Sequence, residues 1–280
     1  MRRAGGLVLA ASCASLVACG DRAARAPSPT WYEWPDRLDY RFEHVAELQR
    51  QTRPVQRFET RKVLRIGVRD AQYALVYDSV LRLTAGAGGT GREPYHPEDT
   101  LAFYLDLGRR GEIRIVPACD PAVAACAAVL PGVVALELRR LIPGLPPWMA
   151  PPGARWDDTL VFDDTSRPAG SRGRVVTTYG PVRDTVIGGV EYWRVGWHAV
   201  RQAFRRPPGG AGFAPERPTD EDGLTLIEKR RLIPAFSTWA GAVAAPPGLR
   251  AMGIDASGFR ARAWLVGSVF DSAFGPERRP

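Results

Sequence analysis

From residue 37 the hydrophobic and polar positions alternate with a period of two. Leu38, Tyr40, Phe42, Ala46 and Leu48 alternate with Asp39, Arg41, Glu43, Glu47 and Gln49. After a turn near Pro54, Phe58, Thr60, Leu64, Ile66 and Val68 do much the same. A third run, Tyr73 to Leu83, follows a turn at 69–72. This is the pattern of long, half-buried antiparallel strands joined by short turns. The glycine-rich stretch 85–99 is expected to be a loop. Strands at 101–107 and 112–116 follow as a hairpin.

Helix signals cluster at 120–142. Asp120 can cap, Pro121 and Pro131 suit first helical positions, and Val134, Leu138 and Leu141 recur at helical spacing. Glu137, Arg139 and Arg140 fall elsewhere on the wheel. The helix stops by Pro143-Gly144, before a proline-rich link. Alternation then resumes over 157–165, 174–186, 190–204 and 224–233. A Gly/Pro-rich loop is expected over 206–223, and a last hairpin joins 249–254 to 259–270. The expectation is a mainly β chain: a long-stranded, curved antiparallel sheet, half-barrel-like, with one helical segment near 120–142. One helix cannot cover some ten strands. So either the sheet curls on itself or a concave apolar cavity remains. The two stretches 37–116 and 153–271 follow a similar plan within one domain, 37–271, leaving 272–280 as a tail.

The first residues have a different character. Arg2 and Arg3 precede an apolar, small-residue run from Gly5 to Ala18, the form of a secretory signal and too short to span a bilayer. The run ends Leu16-Val17-Ala18-Cys19-Gly20. This resembles the lipobox of bacterial lipoproteins, and the resemblance implies cleavage before Cys19 and acylation of its thiol and new amino end. Residues 1–18 are then a removed signal and 19–36 a lipidated tether. Multiple acyl chains give stable attachment to a bilayer. Gly, not Asp, follows the cysteine, which favours the periplasmic side of the outer membrane. The half-barrel reading resembles the periplasmic lipoprotein carriers and receptors, in which a curved antiparallel sheet holds acyl chains under a helical lid. That likeness is architectural and transfers no functional residue.

Composition narrows the chemistry. The chain has 280 residues, is 45% hydrophobic and 24% charged, and carries a formal +8. That charge is spread along the chain and concentrated in no nucleic-acid-binding motif, so nucleic acid is not an expected partner. Of its four cysteines, Cys13 lies in the signal and Cys19 takes lipid. Cys119 and Cys126 are expected to bridge, as exported pairs do. A helix over 121–126 would hold them about 10 Å apart, beyond the roughly 7 Å limit. The bridge therefore implies that regular helix starts only near Pro131.

Three histidines offer little. His44 sits mid-strand on the Tyr40/Phe42 face, buried or lining a cavity. His96 lies in a loop, and His198 on the wet face opposite Trp193, Val195 and Trp197. No metal site is expected. No nucleophile elbow, zinc or phosphate-loop motif occurs. Asp157-Asp158 and Asp163-Asp164 read as surface pairs, and 219–223 fails as a calcium loop. No catalytic residue and no cofactor are expected. Aromatics stand out instead: Trp193, Trp197, Trp156 and Trp264, with His44, are candidate linings for an apolar ligand. The sequence thus points to a lipid-anchored protein that binds a lipid or other apolar group. The alternative is an accessory envelope lipoprotein acting through a protein partner.

Overall fold

A computed structural model of the chain describes residues 32–35, 37–51, 53–69, 72–86, 89–93, 102–115, 131–146, 151–163, 171–206, 212–244 and 250–274. In the first half, β1 (Arg37–Arg50), β2 (Arg53–Arg69) and β3 (Gln72–Gly86) are the three long strands the alternation predicts. The turn between β1 and β2 lies at Gln51, a few residues before Pro54. Short strands β4 (Gly89–Glu93), β5 (Ala102–Leu107) and β6 (Ile113–Ile115) follow. Helix α1 (Pro131–Leu141) begins at the second of the two prolines. Proline at a first helical position loses no hydrogen bond, and Arg139 and Arg140 suit the negative end of the helix dipole. Residues 116–130, with Cys119 and Cys126, lie outside the described residues, as does Cys19.

The second half comprises β7 (Trp156–Asp163), β8 (Ser171–Ile187), β9 (Val190–Arg205), β10 (Ala214–Pro215), β11 (Thr219–Glu228), β12 (Ile233–Ala244) and β13 (Ala256–Leu265). A two-turn helix, α2 (Val269–Phe274), ends the described chain.

Several expectations need correction. Part of the glycine-rich stretch pairs back on β3 as β4. The stretch 206–223 contains β10 and the start of β11. The expected strand 249–254 is a helical turn and bend, and β12 takes its place beside β13. The described residues start at Tyr32, which is already buried, and α2 runs on to Phe274.

All the strands form one antiparallel sheet in the order β6-β5-β3-β2-β1-β13-β12-β11-β9-β8-β7, with β4 on β3 and β10 on β9. Each half is a meander running from one edge to the middle, where the first and last described strands pair, from Tyr40 with Leu265 to Gln49 with Ala256. Bulges in β2, β3, β8 and β12 bend the strands. The connection between the outer edges is α1. It packs against both edge strands, β6 and β7, and against β11 and β12 in the middle. The sheet therefore curls round the helix.

Ala135, Leu138, Leu141 and Ile142 bury themselves against Tyr40, Leu160, Val195, Trp197, Ile227 and Ala263 on the concave face. The convex face carries a smaller cluster, Tyr192, Leu226, Trp264 and Phe270, under α2. No described helix is long and apolar enough to cross a membrane.

Candidate functional site

The two edges of the sheet meet at the C-terminal end of α1. Tyr32 is buried there, accepted by Arg109 O through its N–H at 2.6 Å and by Pro143 O through its hydroxyl at 2.8 Å. Trp34 donates to Gly108 O. Tyr32 and Trp34 thus seat the incoming chain on the domain. Arg139, only 6% exposed, donates to Gly111 O at 2.9 Å and pairs with Asp158 of β7 at 3.1 Å. Trp156 of β7 donates to Gly144 O. One buried guanidinium therefore clasps both edges. The sequence pattern had left Arg139 on the polar side of the wheel.

Beside this clasp lies a cleft between α1 and the concave face. Its apolar floor is Leu136, Val175, Trp197 and Ala199, and its polar wall is Arg139, Arg140, Thr177, Arg201 and Glu221. The period of two builds the floor and the wall together. Along β9, positions 193, 195, 197, 199, 201 and 203 all point inward, so Arg201 shares a face with Trp197. Gly223 lies opposite Trp197 in register, and a Cβ there would collide with the indole.

A polar thread runs beneath the helix. Trp197 Nε1 donates to Thr225 Oγ1 at 3.2 Å, Thr225 meets Ser237 at 3.1 Å, and Ser237 donates to Arg140 O at 2.7 Å. Arg140 holds Glu221 with both arms of its fork, a charge-assisted pair of the strong kind. Arg201 reaches Glu216 at 3.2 Å and lies over Phe162. Its buried Nε has no hydrogen-bond partner. Burial lowers the Arg201 pKa; Glu216 opposes that shift, and Arg140 and Arg205 add to it.

The cleft has about 20 Å³ of free volume, room for roughly one water. A pocket for a lipid chain needs several hundred Å³. Among the described residues α1 occupies the space that an open half-barrel would leave for acyl chains.

The aromatic candidates are dispersed. Trp197 lines the cleft. Trp193 is half-buried at the edge of the same core. Trp156 stacks on Tyr179 near the clasp. Trp264 belongs to the convex cluster, where its Nε1 donates to Asp271, so it does not face the concave side. His44 is half-buried and stacks on Phe259, over which Arg140 also lies. His198 is half exposed and pairs with Asp222 on the outer face. Asp157 accepts from Thr178, while Asp158 turns inward to Arg139. The stretch 219–223 is strand, its Glu221 committed to Arg140. His96 lies outside the described residues. Among the described residues no three His, Cys, Asp or Glu side chains come together as metal ligands.

Sequence reasoning missed Arg139, Arg140, Arg201 and Glu221. The signal for Arg201 and Glu221 was available in their strand parity, Arg201 with Trp197 and Glu221 with Gly223 and Thr225.

The chain is thus an open antiparallel sheet, two meanders wound round one helix. No protein-family model and no curated protein matches its sequence. Among solved structures it is similar to a structure of lipovitellin described as showing lipid–protein interactions, at 11% identity and a TM-score of 0.39. That match covers 84% of this chain and 25% of the lipovitellin chain, so the chain spans about a quarter of that protein's length. It is also similar to the hypothetical lipoprotein YmcC from Escherichia coli, at 9% identity and a TM-score of 0.26, over 84% of this chain and 88% of that one.

Proposed function

We propose that the chain is an envelope lipoprotein, held by acylated Cys19 on the periplasmic side of the outer membrane, and that its domain works by non-covalent contact. What carries this reading is α1 seated in the concavity of the sheet. A helix tied to both edges makes a filled, stiff scaffold, which suits an accessory protein that presents its surface to an envelope partner. The cleft favours a second reading, the binding of a lipid or other apolar ligand. Its floor is apolar and its wall cationic, but its volume admits only the end of such a molecule.

Mass spectrometry of the chain extracted from membranes tests both readings. A covalent mass of two or three acyl chains on a polypeptide starting at Cys19 supports the anchor; an unmodified mass refutes it. Under native conditions the accessory reading expects no further stoichiometric lipid. A lipid bound one to one would instead favour the second reading.

A further inference from the structure

Strand register gathers a set of turns at one end of the sheet. Leu107 pairs with Ile113, Ile187 with Val190, Glu228 with Ile233 and with Tyr192, and Tyr40 with Leu265. The β5–β6 turn, the β8–β9 tip, the β11–β12 turn and the β13–α2 turn therefore lie at the same end. The link 151–155 joins them, since Gly153 N donates to Val182 O. Tyr32 is pinned here too, so the chain arrives from Cys19 at this end.

The charges at this end are unbalanced. Asp39, Asp184 and Glu228 are paired with Arg37, Lys229 and Arg231. Arg109, Arg110, Arg155, Arg183 and Arg230 are exposed and have no ion-pair partner among the described residues. Among the described residues the acids left beside them are few: Glu33, Glu112, which accepts the Arg110 backbone N–H, and Glu191, which has a partner of its own. Between the arginines the end exposes apolar side chains. Val186 is 64% exposed, Ile187 36% and Val266 37%. The tip carrying the first two rests on α2, where Gly188 lies against Val269.

We propose that this end of the domain docks on an anionic phospholipid surface. Val186 and Ile187 form a shallow apolar anchor, and the five free arginines meet lipid phosphates. Three observations choose the membrane over other occupants. The excess charge is cationic and guanidinium in type, suited to phosphate. The apolar residues stand at an exposed hairpin tip, not in a groove a protein segment would fill. The chain from Cys19 to Tyr32, even fully extended, spans at most about 45 Å, so an anchored domain presents this end to its own bilayer. The inference deepens the lipoprotein reading and rests on it.

The test uses the mature chain from residue 20 onward, which carries neither the apolar segment 5–18 nor Cys19, so that neither signal nor acyl chain holds it to lipid. It is sedimented with phosphatidylcholine vesicles, with and without about one third phosphatidylglycerol. The expected result is at least tenfold tighter association with the anionic vesicles, weakening with salt. The paired change Arg183→Glu and Arg230→Glu removes that preference. The pair Val186→Asp and Ile187→Asp weakens association with both vesicle types. Arg217→Glu with Arg250→Glu, at the opposite end, changes neither. All four tip and turn positions are solvent-facing, and circular dichroism confirms that each variant is folded. Equal association with both vesicle types, or an equal loss from the opposite-end pair, overturns the proposal. The acyl mass of the unaltered chain is read separately, so failure of the anchor and failure of the docking surface are distinct results.

Discussion

The concave and convex faces of this sheet carry cores of unequal size, built by the same strands. On the concave side α1 is tied to both edges, by Arg139 to Gly111 O and Asp158, and by residues 142–146 to the flanking turns. Its leucines sit in one cluster with residues from both meanders. On the convex side α2 sets Phe270 into a smaller cluster of Tyr192, Leu226, Ala235 and Trp264. The contrast teaches that covering area alone does not set a helix's role. A helix tied to both edges of a sheet enforces curvature, whereas one set on a single face shields a patch.

Substitutions on the two faces separate these roles. Leu138→Ala is expected to cost about 4 kcal/mol, because the cavity it leaves faces strands of both meanders and cannot collapse. Fluorescence and circular dichroism should follow one urea transition at a lower midpoint. Phe270→Ala is expected to cost about half as much. Coincident and equal losses for the two variants would break the distinction.

Alkaline pH sharpens it. Tyr179, buried in the concave core, has its pKa pushed up to about 12 by burial, and Tyr32 and Tyr40 are raised for the same reason. A raised tyrosine pKa means that the unfolded chain releases the proton first. Stability from these groups is complete below about pH 10 and is lost as pH climbs towards 12, about 3 kcal/mol for Tyr179 alone. Absorbance of tyrosinate should therefore lag behind free tyrosine and then rise together with loss of the fold. On the convex side Tyr192 is raised as well, by burial and then by Glu228. Smallest is the expected effect of Trp264→Phe, which removes the bond to Asp271 and should cost about 1 kcal/mol. It should alter near-ultraviolet dichroism more than stability.

The difference between the faces also explains what the sequence revealed. β1, β8 and β9 bury mainly one side, so polar and apolar residues alternate and their strands read directly. β12 buries Trp239 and Ser237 on the concave face and packs Phe236 on the convex one. With both sides covered the alternation fades, and Pro234, Gly241 and the alanines further obscure the strand. The same double covering hid the orientation of Trp264, whose position in β13 depends on a register that only tertiary pairing sets. The aromatic richness of the concave side was legible, with Trp193 and Trp197 on one face of β9. The clasp was not, because Arg139 is buried by contacts with the β5–β6 turn and β7, distant segments that helical spacing does not bring into view.

The pairing of β1 with β13 has a consequence for the order of events in the cell. Of the described strands, the first to be made must wait for the last. In a chain that crosses a membrane from its N-terminal end, as the lipoprotein reading has it, β1 arrives with an unpaired edge and keeps it until β13 follows. A chain stopped anywhere before Ala256 never closes that seam, however complete its N-terminal meander. The topology thus ties the covering of β1 to the arrival of β13.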